Sequence, residues 1–257
     1  MRGRYAKVEA RNRVLLERIR AVKAQHPFWG YRRVWAYLRY VEEHVINPKR
    51  VYRLMKRHGL LVQPNLRLKA KRVANTHKPR ATRPNQWWGI DMTKVMVDEF
   101  GWVYVVVVLD WYTKKVVGHY AGVQARSWHW LVALNRAVNA QFPDGAMGQG
   151  VQLMTDNGCQ PTSIAFMKAC RAMGIRQAFT SYNNPKGNAD TERFMRTLKE
   201  ELVWLRDWRS PAVFFEALSQ WMDAYNESYL HSTLGYQPPN RFEKQQLSHN
   251  TQLTKAG

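Results

Sequence analysis

Only two cysteines, Cys159 and Cys170, occur in the 257 residues, which excludes a disulfide framework and a zinc site built from four thiols. A reducing compartment fits. Long apolar runs are missing too: the longest, WVYVVVVL from Trp102 to Leu109, is too short to span a bilayer, and the opening MRGRYAKVEARNR has no apolar signal core. The expectation is a soluble protein, with no membrane partner, of a bacterial cytoplasm or a nucleus. Negative charge is scarce in the first third, where through Gln86 there are 23 Lys and Arg against four Asp and Glu, leaving 17 against 15 for the rest. The net charge of +21 is therefore carried by a basic leading module on a nearly neutral body. Nucleic acid is the first candidate partner, with a solvated basic surface as the alternative. Hydrophobic residues make up 45%, enough for a real core.

Val8, Leu15, Ile19 and Val22 recur at helical spacing, predicting an amphipathic helix from Tyr5 to Ala24. After HPFWG, the stretch YRRVWAYLRY predicts a second helix burying Val34 and Leu38. Asn47 as N-cap, Pro48 at the first position and Gly59 beyond the end bracket a third. Two short helices joined by a turn resemble a helix-turn-helix, with Lys49, Arg50, Arg53, Lys56 and Arg57 on its outer side as DNA-contact candidates. A small helical bundle with a charged face is the other reading. The helical region is placed at 1–62 and a basic linker without acids at 63–86, on a phosphate backbone or merely solvated.

At Trp87 the pattern changes to β-rich runs, WWGIDMTKVMV, WVYVVVVLD and KKVVGHY, separated by turn residues. A helix capped by Ser127, the strand VQLMTD, a helix ending at Gly174, the strand IRQAF, a polar loop TSYNNPKGN and two helices follow, the last from Pro211 to about Tyr229. That order predicts an α/β, ribonuclease H-like core over 87–230: a mixed five-stranded sheet with flanking helices, preceded by the all-α region and followed by a tail at 231–257.

Within this order Asp91 lies in the first strand, Asp156 at the end of the fourth, and Glu192 on the helix after the polar loop, with 35 residues between the last two. Adjacent first and fourth strands would set the two aspartates side by side, and a helix packed there would bring Glu192 opposite. Three carboxylates around one hollow repel each other unless a cation sits among them. Oxygen-only ligands suit Mg²⁺ or Mn²⁺, and two such ions suit an in-line phosphoryl displacement. Singly, each acid also reads as a turn, helix-start or buried strand residue.

The stretches DMTKV, TDNGCQPTS, SYNNPKGNADTERF and LKEE resemble the integrase core of bacterial insertion-sequence transposases of the OrfB type, in the insertion sequence three family, relatives of retroviral integrases. HPFWGYRRVWAYLR with NPKRVYRLMKRHGL is similar to the helix-turn-helix preceding that core, and YNESYLHSTLGYQPPNRFE to its C-terminal signature. The resemblance implies a transposase in which Asp91, Asp156 and Glu192 bind two Mg²⁺ (or Mn²⁺) ions, water cuts at the element's end, and the freed 3′-hydroxyl attacks another phosphodiester. It further implies element-end and target DNA as partners, a homo-oligomer on DNA, a nucleoid location, and an OrfA-type partner or frameshifted fusion. The chain begins where such an OrfB product would. No zinc is expected, since the histidines near the start lack paired cysteines.

On the helix carrying Glu192, 100° per residue places Glu192, Arg196 and Lys199 on one face, with Phe194, Met195, Leu198 and Leu202 opposite. Arg196 and Lys199 are thus phosphate-contact candidates. Asn188 is the expected N-cap, and Asp190 turns away from Glu192. Both cysteines are expected to be packing residues. Two further readings stay open, a purely hydrolytic nuclease of this fold and a non-catalytic DNA-binding protein.

Overall fold

A computed structural model describes residues 2–63, 79–180 and 185–255. Most of the expected basic linker, and residues 181–184 of the polar loop, lie outside them. The chain forms two compact units, Met1–Val73 and Ala74–Gly257.

In the first unit, α1 (Arg2–Gln25), α2 (Tyr31–Tyr40) and α3 (Pro48–Arg57) close on a core that includes Leu15, Ile19, Val34, Leu38, Val51 and Met55. Val8, expected on the apolar stripe of α1, is exposed. The predicted start and stop of α3 are present: Asn47 accepts the Lys49 N–H at 2.8 Å, Pro48 opens the helix, and Gly59 takes a φ of +67°. The basic face differs in one respect. Arg50 is half-buried and donates from Nε and Nη2 to Asn12 Oδ1 at 3.1 and 2.8 Å, fastening α3 to α1. Lys49, Arg53, Lys56 and Arg57 remain exposed, Arg57 with Glu9 at 4.0 Å.

The second unit is built on a five-stranded sheet in the order β3-β2-β1-β4-β5, comprising β1 (Trp87–Val97), β2 (Gly101–Asp110), β3 (Val116–Gly122), β4 (Gln152–Thr155) and β5 (Arg176–Phe179). The first three strands are antiparallel, and β4 and β5 run parallel to β1. The run of valines in β2 is covered on both faces, which explains its unbroken apolar text. One face packs under α6 (Ala189–Glu201) and α7 (Pro211–Ser228), through Val95, Val107, Phe194, Leu198 and Phe214. The other packs under α4 (Ser127–Gln141) and α5 (Ile164–Ala172), through Trp88, Ile90, Trp130 and Phe166.

Three local expectations need correction. Arg126, not Ser127, occupies the N-cap of α4, because the His129 ring reaches back to accept the Arg126 N–H at 2.9 Å. Cys170 is buried, but Cys159 is exposed in the loop after β4, where its thiol donates to Gln160 Oε1 at 3.3 Å. The stretch read as a tail contains α8 (Pro239–Lys255), which docks on the β2–β3 turn: Glu243 pairs with Lys115 at 2.5 Å, and the Tyr112 hydroxyl donates to Gln246 at 3.0 Å. A polar sequence hides this helix, since apart from the Phe242 ring 5.6 Å from that of Tyr112 its anchors are an ion pair and an amide.

Candidate active site

Strand alternation decides where the acids point. Along β1, Val95 and Val97 face the α6–α7 layer while Trp88 and Ile90 face the other, so Asp91, in step with the valines, shares the α6 side. On β4, Met154 belongs to the α6 side and Leu153 to the other, which puts Asp156, two residues past Met154, on the α6 side as well. The β1–β4 register pairs Trp87 with Gln152 and Gly89 with Met154, an offset of 65 residues. The same offset separates Asp91 from Asp156, so the two acids stand level where the paired strands end.

Helix α6 crosses that face. Its buried stripe of Phe194, Met195, Leu198 and Leu202 is the one the sequence predicts, and Glu192 is left exposed one turn from the start. The approach is close at Gly89, where a Cβ would lie 2.0 Å from Thr191 Oγ1, 2.4 Å from Trp111 Nε1 and 2.5 Å from Asn188 Oδ1. Only glycine lets the helix start settle on the strand here. Asn188 sits at the N-cap position but does not cap; its buried amide turns inward and donates from Nδ2 to Ile90 O at 3.2 Å, next to Asp91. Trp111 Nε1 donates to Thr191 Oγ1 at 3.2 Å, fixing the residue before Glu192.

The electrostatics meet at Asp91. Burial first, and then the charges of Asp156 and Glu192, push its carboxyl up to about 6, against the Met92 N–H and the Lys199 ammonium, which pull it down. Repulsion among the acids is thus present, though burial is the larger cause. Asp91 Oδ1 accepts the Met92 N–H at 2.7 Å, and Asp156 Oδ1 accepts the Gly158 N–H at 3.0 Å, which orients both carboxylates. Among the described residues no three His, Cys, Asp or Glu side chains are already drawn in around one point as a metal shell. The donors are nevertheless the hard oxygens that a divalent cation takes, and their mutual repulsion is what such an ion relieves.

The two basic candidates on α6 divide. Lys199 acts on Asp91, whereas the exposed Arg196 pairs with Glu200 at 2.7 Å, a surface pair of about 0–1 kcal/mol that phosphate can displace. Asp190 turns from the hollow to Lys114 at 3.1 Å. Another strand-end acid, Asp110, stays outside the site: fully buried, it accepts the N–H groups of Asn85, Tyr112 and Thr113 and holds the β2–β3 turn. The sequence reading gives Asn188 only a capping role and does not single out Gly89 or Thr191. A glycine inside a strand two residues before a candidate acid was the available signal.

Two models described as Integrase core domain match residues 81–185 and 173–239, and one described as HTH-like domain matches 9–67. The transposase InsD of insertion element IS2A/D/F/H/I/K from Escherichia coli is 27% identical over 95% of this chain and 83% of its own length. The chain belongs to the integrase-core transposases. A further member of this family, InsD of element IS2-9 from Escherichia coli strain K12, is 27% identical over 95% of this chain and 81% of its own length. Among solved structures, the HTLV-2 integrase catalytic core domain in complex with magnesium is 16% identical, with a TM-score of 0.48 over 64% of this chain and 99% of that one. Among the described residues, no helix of this transposase is long and apolar enough to cross a membrane.

Proposed function

We propose that this transposase cuts and joins DNA at the hollow formed by Asp91, Asp156 and Glu192, with divalent cations held by those three carboxylates. The observation that carries the reading is geometric: Asp91 and Asp156 stand level on the α6 side of two paired strands, and Gly89 lets the start of α6, with Glu192, settle on that face. Two Mg²⁺ or Mn²⁺ ions bound there supply activation of the attacking oxygen and stabilisation of the leaving one in an in-line displacement. Asp91 and Asp156 hold their positions from the sheet, each oriented by a backbone N–H, and Glu192 closes the set from α6. Lys199 and Arg196 receive the phosphates flanking the scissile bond. Lys49, Arg53, Lys56 and Arg57 present a cationic face for duplex DNA in the helix-turn-helix unit, and Arg50 serves as its internal tie. Joining two element ends to a target calls for more than one copy on DNA, alone or with an OrfA-type partner.

The test uses full-length protein, Mg²⁺ and a labelled duplex carrying the element's terminal repeat with a pre-cut 3′-hydroxyl. The expected result is a longer, joined product that disappears with EDTA. Hydrolysis without joining supports the nuclease reading, and no metal-dependent product supports a DNA-binding protein without chemistry.

A further inference from the structure

A second surface adjoins the hollow and is not needed to hold an ion. Beside β1 and the segment after α6 lies an open cleft of about 790 Å³ whose lining includes Thr93 and Lys199 together with Lys94, Trp102, Trp204 and Arg206. Thr93 is two residues along β1 from Asp91 and on the same face of the strand, so the cleft opens beside the acid hollow. Its walls are aromatic and cationic together. Trp204 is 60% exposed and Trp102 43%, large apolar faces that a chain keeps in water only at some cost. Lys94 Nζ lies 4.4 Å from the Trp102 ring centroid, and the Arg206 guanidinium 4.3 Å from that of Trp208. Each cation is thereby held at the rim beside an indole. Lys94, Lys199 and Arg206 outnumber the two acids of the lining, Asp98 and Asp207.

Two exposed indoles in a lining that also carries three cations suit one ligand, a single strand of nucleic acid, whose bases stack on the rings while its phosphates meet the cations. Bases within a duplex are already stacked and gain nothing from Trp204. We propose that this cleft takes the unpaired nucleotides of a DNA end next to the scissile phosphate, with Trp204 as the stacking platform. The proposal rests on the cutting-and-joining reading, because it is the acid hollow that brings a DNA end to the mouth of the cleft.

The experiment compares binding, in EDTA, of full-length protein to a blunt duplex and to the same duplex with a three-nucleotide unpaired end carrying 2-aminopurine. Wild-type protein is expected to favour the unpaired end by about 10-fold and to quench the 2-aminopurine. Trp204→Ala should lose both the preference and the quenching while binding the blunt duplex normally, and Trp204→Phe should retain most of both. Trp128→Ala, an equally exposed indole on α4 across the sheet, should change neither. The proposal is overturned if wild-type protein shows no preference, if Trp204→Ala keeps the preference and the quenching, or if Trp204→Ala instead shifts the sedimentation of the DNA-free chain, which would assign the cleft to a second copy. Strand joining measured in parallel separates the two ideas. Joining without any effect of Trp204 removes the cleft alone, and quenching without metal-dependent joining removes the chemistry alone.

Discussion

Glu192→Gln protein is expected to cut and join DNA on the order of a thousandfold more slowly than wild type while melting at the same temperature and binding DNA undiminished. The substitution keeps the shape of an exposed side chain and removes its charge, so the expected loss is one of chemistry rather than of folding. Loss of a group that merely orients a metal ligand typically costs about 10–100-fold, and loss of the ligand itself should cost more. Asp190→Asn, two residues away, makes the contrast. It breaks an ion pair with Lys114, worth about 1 kcal/mol or less at a partly exposed site, and should leave the rate nearly intact. Equal rates for Glu192→Gln and wild type would remove Glu192 from the chemistry.

Gly89→Ala should fail for a different reason. The added methyl meets Thr191, Trp111 and Asn188 at 2.0–2.5 Å, and all three are buried, so none can swing aside. Overpacking of this kind costs about 1–3 kcal/mol, read as a lower melting temperature. The larger effect falls on activity, since the start of α6 must lift from β1 and carry Glu192 with it. A misplacement of about 1 Å at a reacting centre is enough for a loss of about 100-fold. DNA binding by the helix-turn-helix unit should be unchanged. An active Gly89→Ala protein with wild-type stability would mean that the close packing of α6 on β1 does not set the site.

The order of strands and helices along the chain, the start and stop of α3 and the apolar stripe of α6 were legible in the sequence because each depends on local periodicity or on a capping residue. The placement of the three acids was legible because a strand, a strand end and a helix start can be located from pattern, and the 65-residue offset between Asp91 and Asp156 then coincides with the strand register. What stayed hidden depends on contacts between distant residues. Arg50 reads as one more outward cation until Asn12, on another helix, is seen to accept from it. Asn188 has the residue type and position of a cap, yet Ile90 O, one residue past the last β1–β4 pair, accepts from its amide. The docking of α8 rests on Lys115 and Glu243, 128 residues apart, a pairing that no periodicity announces.

The central claim is that Asp91, Asp156 and Glu192 together hold the ions that drive the chemistry, and manganese binding by the full chain tests it most directly. Paramagnetic titration of Mn²⁺ should show binding to wild-type protein and to Asp190→Asn, and its loss in Asp91→Asn, Asp156→Asn and Glu192→Gln taken singly. Unchanged Mn²⁺ binding in those three proteins would contradict the account.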